Sequence, residues 1–529
     1  MKFTSTILLF FTCQVYFSQS FKWVKNITGL DDIEIKKIVH LQNDKFLLAG
    51  NYEGSINFDN QLISSIGNKD FFISKQDSSG NLIWIKSFGG FDDVEIEDIS
   101  VSNDNKIFIC GTFEGNILLD SILLSNTSGK NAFLAKLDSN GNLEWAKNFE
   151  SSDDVEANSI EIDFYRNKLS FLAEYESSVQ FDSINLISFG NKSLLFSRFN
   201  SNGTCDWFRE ISSQDEIKAN CLRHDSIGNI YSYGTFDGNI FFQNTILSNS
   251  SDKDIFLIKT DTSGSLVWTK TVGGSDDVEA SRFFIRDTNL FIIGTFSGTA
   301  NFQNTSISSF GDDDGFLASI SLENNESWVS SINSSDDVSP SDIYVDSENN
   351  IYIIGSIESD TYFDNIFIQN SSNEDLFICK YDIFGNAQWV KSVGGTNDIE
   401  GKTIYSNTKK ELIFSGNFEG SAFFDSITIS ALDEKDGFFG KLTLDSFNIS
   451  NMPIKEEKLM VFPNPTDNLI KLEIENYNGS FDAELYDFTG KLLETTNKTA
   501  IRLADYPLGI YLLKVVYGNK VEEVKVVKE

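Results

Sequence analysis

Around Trp145 the chain reads Asp138-Ser139-Asn140-Gly141-Asn142-Leu143-Glu144-Trp145-Ala146-Lys147, and a version of this stretch surrounds every tryptophan of the sequence. The tryptophans follow one another at intervals of 61, 61, 62, 61, 60 and 61 residues: Trp23, Trp84, Trp145, Trp207, Trp268, Trp328 and Trp389. A residue type this scarce, recurring at so constant an interval, indicates one unit copied along the chain. We number these repeats one to seven, starting at residue 31.

Each repeat has the pattern of four short strands. In the first repeat, alternating apolar residues predict strands at Ile35 to Leu41, Phe46 to Tyr52, Phe71 to Gln76 and Leu82 to Phe88, with polar turns between them and a long connection after the second strand. Four antiparallel strands in about sixty residues are typical of one blade of a β-propeller. The sequence therefore predicts an all-β fold, a seven-bladed β-propeller.

Glycine and phenylalanine also recur at fixed places. A glycine closes the second predicted strand in six repeats, and Ala173 replaces it in the third: Gly50, Gly111, Gly234, Gly294, Gly355 and Gly416. Two phenylalanine positions recur in the same way: Phe58, Phe181, Phe242, Phe302, Phe363 and Phe424, then Phe72, Phe133, Phe256, Phe316, Phe377 and Phe438. Rings at fixed places bury large apolar areas, so we interpret them as the core between neighbouring blades.

The N-terminus predicts how the ring closes. The seventh repeat runs through Gly416 and Phe438 but has no tryptophan of its own, whereas Trp23 stands alone before the first repeat. We expect the strand at residues 21–27 to pair with Gly437 to Thr443 as the missing outermost strand, closing a propeller that spans residues 21–447. Closure would remove the exposed sheet edges of an open array.

Composition and the N-terminal segment bear on location. The chain has 42 basic and 78 acidic residues, a formal net charge of -36, which disfavours nucleic acid and anionic lipid and leaves cations as natural small partners. Residues 1–20 have one lysine, an apolar run and a Ser18-Gln19-Ser20 end, the pattern of a secretory signal peptide cleaved after Ser20. No later segment is apolar for long enough to insert in a membrane.

The cysteines leave two interpretations open. Outside the signal peptide they are Cys110, Cys205, Cys221 and Cys379, at unrelated places in the repeats and without a CxxC pair, so neither a disulfide framework nor a zinc site is indicated. Cys205 and Cys221 are close enough in sequence to be bridged after export. They fit equally well as small buried apolar residues.

The C-terminal part differs from the repeats. Four of the five prolines follow residue 450, residues 448–458 form a polar linker, and residues 459–529 have short alternating strands that predict a small Ig-like β-sandwich. Three motifs resemble the type A C-terminal sorting domain of the type IX, or Por, secretion system of Bacteroidetes: Val461-Phe462-Pro463-Asn464-Pro465-Thr466, Glu484-Leu485-Tyr486-Asp487-Phe488-Thr489-Gly490-Lys491 and Leu508-Gly509-Ile510-Tyr511-Leu512-Leu513-Lys514-Val515. The resemblance implies passage across the outer membrane through that machinery, to the cell surface or the medium.

The repeats have a resemblance of their own. The stretch from Gly80 to Gly90, with Gly-Asn-Leu-x-Trp-x-Lys-x-x-Gly-Gly, is similar to the bacterial β-propeller repeats called SBBP repeats. The third repeat departs most, since Glu174-Tyr175-Glu176-Ser177 replaces the usual turn and Leu195 replaces a phenylalanine. This resemblance implies a fold and names no ligand.

An acidic pair follows each tryptophan strand and is the best repeated polar feature. In a propeller this link joins the outer strand of one blade to the inner strand of the next, so the pairs should surround one mouth of the central channel. Carboxylates suit Ca²⁺, which predicts a calcium site at Asp31, Asp32, Asp92, Asp93, Asp153, Asp154, Asp276, Asp277, Asp336 and Asp337. The alternative is that these aspartates accept local backbone hydrogen bonds in a repeated turn.

Catalytic patterns are weak in this sequence. Its two histidines, His40 and His224, occupy different places in their repeats and have no nucleophile motif beside them, so we predict that the protein is not an enzyme. We expect a secreted or surface binding and adhesion module for an unknown extracellular glycan or protein. The alternatives are a secreted hydrolase of polysaccharide or peptide with an unidentified carboxylate pair, and a purely structural surface protein.

Overall fold

The computed structural model describes residues 17–322, 327–407, 411–446, 458–475, 481–517 and 520–529. Most of the predicted signal peptide and of the predicted linker lies outside these residues, so both stay predictions. The described residues form two compact bodies, Phe17–Asp445 and Ser446–Glu529. They are built from strands, with one short 3-10 turn at Gln42–Asp44. Among them no helix has the length and apolar character needed to cross a membrane.

The first body consists of 36 strands in chain order. Before the repeats comes β1 (Phe17–Gly29). Repeats one to three contain β2 (Ile33–His40), β3 (Phe46–Phe58), β4 (Gln61–Gln76), β5 (Leu82–Gly90), β6 (Val94–Val101), β7 (Ile107–Phe113), β8 (Ile117–Leu119), β9 (Ile122–Leu124), β10 (Asn131–Leu137), β11 (Leu143–Phe149), β12 (Val155–Asp163), β13 (Lys168–Phe181), β14 (Ile184–Asn200) and β15 (Cys205–Ser213).

Repeats four to seven continue the same order. Their strands are β16 (Ile217–His224), β17 (Ile230–Phe242), β18 (Thr245–Thr260), β19 (Leu266–Gly274), β20 (Val278–Arg286), β21 (Asn289–Phe296), β22 (Thr299–Phe302), β23 (Thr305–Ser308), β24 (Asp314–Ser321), β25 (Ser327–Ser334), β26 (Val338–Val345), β27 (Ile351–Ile357), β28 (Thr361–Phe363), β29 (Ile366–Ile368), β30 (Asp375–Tyr381), β31 (Ala387–Val393), β32 (Ile399–Ser406), β33 (Glu411–Phe418), β34 (Ser421–Phe424), β35 (Ile427–Ser430) and β36 (Asp436–Ser446).

Each repeat forms an antiparallel sheet in chain order, as in β6-β7-β10-β11. The long connection predicted after the second strand is instead a hairpin, because its apolar residues alternate and can pair. In the second repeat this hairpin is β8-β9, and in the first it continues β3 and β4 without a break. The hairpin pairs with the outer strand of the preceding repeat, as Gly89 does with Leu118, so hydrogen bonds join consecutive repeats.

The innermost strands line an axis. The first strand of each repeat packs on the first strand of the next, and the first strand of repeat seven packs on that of repeat one: β2, β6, β12, β16, β20, β26 and β32. In the sheet order β1 lies between β36 of the last repeat and β3 of the first. Phe21 of β1 is buried, 5.4 Å from Phe414 and 5.1 Å from Phe424 between ring centroids. The all-β, propeller-like fold class is confirmed, while the number of blades stays a prediction.

The recurring glycine and phenylalanine form one contact. A Cβ added at Gly111 would lie 2.6 Å from the ring of Phe133 on the neighbouring strand, and Gly234 stands in the same way against Phe256. In the third repeat Ala173 pairs with Leu195 in that register. The repeat therefore lacks the glycine and the ring together, and loss of the ring removes one of the two close contacts of a Cβ at this position, the other being a backbone carbonyl such as that of Glu95 beside Gly111.

Five tryptophans contact a glycine in the following turn. Gly141 has φ +80, and a Cβ placed there would lie 3.1 Å from the indole of Trp84; Gly80, Gly203, Gly264 and Gly385 meet the preceding tryptophan of the chain in the same way. These five turns thus need glycine for two reasons, the left-handed backbone and the nearby indole ring. The Trp145 indole N–H also donates to the Ser201 carbonyl at 3.1 Å.

The second body is a small sandwich. Its strands are β37 (Lys458–Phe462), β38 (Leu469–Glu475), β39 (Phe481–Asp487), β40 (Leu492–Thr496), β41 (Ala500–Arg502), β42 (Gly509–Tyr517) and β43 (Lys520–Lys528). They form the sheets β37-β38-β41 and β40-β39-β42-β43, whose inner residues share one core. The Val527 N–H donates to Asn464 Oδ1 at 2.9 Å, which joins the first sorting-domain motif to the C-terminal strand.

The four cysteines of the first body are free thiols. The suggested Cys205–Cys221 bridge is not formed, because Cys205 begins an outer strand whereas Cys221 lies on an innermost strand. Cys110, Cys221 and Cys379 are buried, as expected of small apolar residues.

Candidate functional site

Two cavities lie on the axis of the first body, each lined by all seven repeats. The aromatic cavity, of about 490 Å³, is lined by the C-terminal halves of the innermost strands and by the turns that follow them. The charged cavity, of about 630 Å³, is lined by the N-terminal halves. Arg282 lines both, so the layer of side chains at its level separates the two cavities.

Six charged side chains stand at and below the floor of the aromatic cavity. Three are cationic and three anionic: Lys37, Arg223, Arg282, Asp98, Glu161 and Asp342. Lys37 forms an ion pair with Asp98, and Arg223 Nη1 lies 3.5 Å from Glu161 Oε2. Asp98 also accepts from the Ser159 hydroxyl at 3.0 Å. The group is neutral overall, and at one strand position it alternates in sign: Lys37 and Arg282 are cationic there, whereas Asp98 and Asp342 are anionic.

Burial shifts the carboxyl groups of this set. Burial raises the pKa of Glu161, against the opposing charge of Arg223, and it raises the pKa of Asp342 against that of Arg282. Burial also acts on Asp98, but Lys37 and Arg282 outweigh it and the pKa is lowered. Glu161 and Asp342 are therefore the carboxyl groups of the cavity that take up a proton most readily.

Aromatic rings stand above the charged layer. His40 and Tyr405 have ring centroids 5.4 Å apart, and those of Phe284 and Tyr344 are 5.3 Å apart. Phe164, on the turn after β12, lines the same cavity and leaves 50% of its surface exposed. Burial lowers the pKa of His40, so its ring is neutral near pH 7. The result is a polar floor beneath aromatic walls.

The predicted calcium ligands lie in the links between repeats, just before the innermost strands. They are therefore at the end of the axis that holds the charged cavity. The carbonyl of the second residue of every pair accepts a backbone N–H from the same repeat, beyond its second strand's central part, as Asp32 does from Glu53 at 3.0 Å and Asp93 from Glu114 at 2.8 Å. The Asp154 carboxylate accepts the Lys130 N–H at 2.8 Å. These bonds fit the alternative interpretation of the pairs, as a repeated turn.

Two pairs gain a third carboxylate. Oxygens of Asp252, Asp276 and Asp277 all lie within 4.8 Å of one another, and so do those of Asp312, Asp336 and Asp337. Among the described residues, the pairs Asp31-Asp32, Asp92-Asp93 and Asp153-Asp154 belong to no such group. The structure thus brings four of the ten predicted ligands into three-carboxylate groups and leaves the other six as separate pairs.

The two three-carboxylate groups differ in the charge of the side chain next to them. Lys253 Nζ lies 3.3 Å from Asp277 Oδ2 and pairs with Glu279, so a lysine neutralises the first group. Asp313 stands at the position equivalent to Lys253 beside the second group. Burial and the nearby Asp337, Glu279 and Asp277 carboxylates raise the pKa of Asp313. Only the second group lacks a neighbouring lysine, so a bound cation would supply the missing positive charge there and not at the first group.

Sequence reasoning missed Asp252, Asp312 and the axial residues. Asp252 and Asp312 could have been found from the sequence, because they stand at one position of the repeat, shortly before the repeated phenylalanines Phe256 and Phe316. At this position the other repeats have Asn68, Gly129, Asn191, Asn373 and Glu434. The axial charges had none, because their meeting point depends on the fold of all seven repeats.

Comparison with known proteins identifies the C-terminal body. Residues 460–529 match the family described as "Secretion system C-terminal sorting domain". The match confirms the resemblance inferred from the three motifs. It identifies an exported protein, secreted or attached to the outer cell surface, whose C-terminal domain addresses it to the type IX machinery. No curated protein sequence matches the chain.

Solved structures similar to the chain come from several kinds of protein. Drosophila semaphorin 2a is 7% identical with a TM-score of 0.39, covering 95% of this chain and 97% of that one. The GH43 protein BlXynB from Bacillus licheniformis is 7% identical with a TM-score of 0.28, covering 97% and 91%. The extracellular domain of a hybrid two-component system from B. thetaiotaomicron is 13% identical with a TM-score of 0.20, covering 93% and 78%. At such TM-scores these similarities carry no argument about function.

Proposed function

We propose that this exported protein is a binding module and that its ligand, a neutral saccharide, occupies the aromatic cavity. The observation that carries the proposal is the loss of repeat symmetry there. At the periphery of the first body the tryptophan, glycine and phenylalanine positions return in most repeats, whereas the cavity combines Glu161, Arg223, Phe284 and Tyr344 from four different repeats. Residues that differ between copies and converge on one space are what a specific site requires.

The chemistry of the cavity favours an uncharged, hydroxyl-rich ligand. Its six charged groups sum to zero, so neither an anion nor a cation is preferred by net charge. Arginine and carboxylate groups donate and accept hydrogen bonds in fixed directions, which suits hydroxyl groups. The rings of His40, Tyr405 and Tyr344 offer flat apolar surfaces for the C–H faces of a sugar ring. A volume of about 490 Å³ lies in the range of small-ligand sites.

The domain division supports this role and is itself a proposal. We infer that residues 1–20 are a signal peptide, that residues 21–447 form a seven-bladed propeller closed by the strand at 21–27, and that residues 448–458 link it to the sorting domain at 459–529. The position of β1 between β36 and β3 supports closure. A closed ring holds the axial residues of all repeats at constant spacing, which a binding cavity needs.

Binding to a saccharide panel tests the proposal. The full chain is screened against neutral and acidic glycans, and the best ligand is then titrated calorimetrically. Phe164→Ala should weaken binding by about tenfold, since one aromatic contact is worth roughly a kilocalorie per mole or more. Tyr165→Ala is the matched control, because Tyr165 is the next residue, is 77% exposed and does not line the cavity. Equal affinity of both variants, or binding of acidic glycans alone, would contradict the proposal.

Hydrolysis is the second candidate, favoured by one observation. Two carboxyl groups with raised pKa, Glu161 and Asp342, line the same cavity, and a protonated carboxyl group beside a saccharide can act as a general acid. Incubation of the full chain with the bound glycan distinguishes the two functions. Product release that is abolished by Glu161→Gln while binding is retained would establish an enzyme.

A further inference from the structure

Phe21 of β1 occupies the position at which the other outer strands begin. In five repeats the outer strand starts two residues before the tryptophan: Leu82, Leu143, Cys205, Leu266 and Ala387. Counting back from Trp23 in the same way reaches Phe21, the residue that follows the expected cleavage site after Ser20. Cleavage would therefore cut the chain at the position where the remaining repeats have the turn before the outer strand.

In four repeats a side chain of the hairpin turn accepts the first N–H of the outer strand. The hairpin-turn residue Asp120 accepts the Leu143 N–H at 2.9 Å, and Asp59 accepts the Leu82 N–H at 2.9 Å. At the N-terminal strand the same bond joins the Phe21 N–H to Asp425 Oδ2 at 3.2 Å. The atom that contacts Asp425 is thus the nitrogen that cleavage would convert from an amide into an amine.

We propose that removal of the signal peptide creates an ion pair between the new amino group of Phe21 and the carboxylate of Asp425, which fastens the last strand of the ring. Hydrolysis of the Ser20–Phe21 peptide bond by water leaves a carboxylate on Ser20 and an amino group on Phe21. An α-amino group is mostly protonated at neutral pH, since its pKa is about 7.7–8.0. A neutral donor therefore becomes a charged one at the same place, and charge-assisted hydrogen bonds are about twice as strong.

The surroundings hold the amine in position. The Phe21 side chain is 8% exposed and packs between Phe414 and Phe424, so its nitrogen has little freedom to lose on pairing. Lys391 Nζ occupies the other oxygen of the carboxylate, 2.7 Å from Asp425 Oδ1. Asp425 is 42% exposed, and the next cation of the strand, Lys22, is engaged by Glu411 at 3.0 Å. Asp425 would then bridge two cations, one on each oxygen.

The uncleaved chain lacks this arrangement. Lys391 Nζ lies 3.5 Å from the Gln19 carbonyl, a contact that disappears with the signal peptide. In the precursor Phe21 N is an uncharged amide, and the segment before it leads to the export machinery. Processing would thus strengthen closure of the ring only after the protein has left the cytoplasm. This inference is independent of the ligand proposed for the aromatic cavity.

Thermal unfolding of two forms of the chain, both extending to Glu529, tests the ion pair. One form begins at Phe21 and the other retains Ser18-Gln19-Ser20, and each is compared with its Asp425→Asn variant. Asp425→Asn should lower Tm by about 1–2 °C more in the form that begins at Phe21, as expected for a partly exposed ion pair in a body of this size. Equal decreases in both forms would overturn the proposal.

A matched variant and a chemical probe complete the test. Asp120→Asn removes the carboxylate charge at the equivalent turn contact, with Lys86 4.0 Å away, at a strand start where no chain end is formed, and should lower Tm equally in both forms. The paired amine should react with an acetylating reagent several-fold more slowly than the amine of the Asp425→Asn variant, as followed by mass spectrometry. Identical rates, or a mature N-terminus at another residue, would also refute the pairing.

Discussion

The periphery of the first body repeats its side chains from one repeat to the next, whereas the axis varies them. At the periphery the same contact returns in repeat after repeat, as when the indole of Trp84 covers Gly141 and the indole of Trp145 covers Gly203. At the axis the equivalent positions hold Lys37, Asp98 and Arg282. The difference has an electrostatic cause: peripheral copies are far apart, whereas seven identical charges around one axis would repel one another. Repetition therefore builds the framework, and variation is forced where the repeats converge.

The largest effect is expected from removing the N-terminal strand. A chain beginning at Gly29 loses the buried side chains of Phe21 and Ile27 and exposes the edge of β36. The free energy of unfolding should fall by about 5 kcal/mol or more, since each buried large apolar side chain contributes about 1.5–3 kcal/mol and the sheet edge loses its partner. Denaturant titration measures the loss. A chain beginning at Phe21 is the control, and equal stability of the two chains would refute closure by this strand.

A smaller effect is expected from breaking an axial ion pair. Arg223→Met leaves Glu161 without its cation at a site where each side chain is 19% exposed. Loss of one partner of a buried pair should cost about 2–4 kcal/mol, slightly less than for a fully buried pair. The double variant Arg223→Met with Glu161→Leu should recover most of this loss, because no charge is left unpaired. Additive losses in urea titrations would show that the two side chains act separately and that the axial charges are not a balanced set.

A smaller loss of stability is expected from disturbing the peripheral contact between glycine and phenylalanine, and a second substitution should compensate part of it. Gly111→Ala places a methyl group 2.0 Å from the Glu95 carbonyl oxygen and 2.6 Å from the Phe133 ring, and it should cost about 1–3 kcal/mol through overpacking, of which only the part due to the ring can be relieved at Phe133. Adding Phe133→Leu reproduces the Ala173 and Leu195 pair of the third repeat, so the double variant should be more stable than the sum of its parts predicts. Simple additivity in a double-mutant cycle would show that the exchange in the third repeat is unrelated to this contact.

These two regions also explain how far the sequence could predict the structure. The spacing of Trp145 and Gly141 was informative because both serve a contact that every repeat needs, and the motifs around Asn464 and Tyr511 identified the sorting domain. The hairpin of β3 and β4 was missed because its apolar residues, Ile56 and Ile63, are separated by a polar turn that favoured a loop. The axial set was beyond prediction, since Glu161 and Arg223 meet only once the fold brings their strands together.

The mouth of the charged cavity should make stability depend on pH. Burial raises the pKa of Glu97 from 4.5 to about 7; Lys36 opposes this shift, and the carboxylates of Glu95 and Glu34 add to it. The folded protein then holds a proton that the unfolded chain has lost, so this contribution to stability is complete below pH 4.5 and is lost as the pH rises to about 7. Glu97→Gln should flatten the decrease of Tm with pH across that window.

Glu95, two residues earlier on the same strand, is the matched control for this pH dependence. Burial would raise its pKa, but the hydrogen bond and charge of Lys69 outweigh burial, and the pKa is lowered. Its contribution is therefore present above its unfolded value of 4.5 and is lost only as the pH falls further. Glu95→Gln should retain most of the decrease between pH 4.5 and 7, because burial is a larger cause of the Glu97 shift than the charge of Glu95. A Glu97→Gln protein with the parent pH profile would place the titrating group elsewhere.

The smallest effect is expected from calcium, and it contrasts two otherwise equivalent links. If the group of Asp312, Asp336 and Asp337 takes up Ca²⁺, a concentration several times Kd should stabilise the protein by about 1 kcal/mol, a rise in Tm of about 1 °C. Asp313→Lys should abolish the rise, because it restores the lysine that neutralises the group around Asp277. Asp92→Asn should leave the rise unchanged, since Asp92 belongs to no group of three carboxylates among the described residues. Equal calcium responses of the Asp313→Lys and parent proteins would favour the alternative interpretation, in which all ten aspartates are turn residues that accept backbone hydrogen bonds.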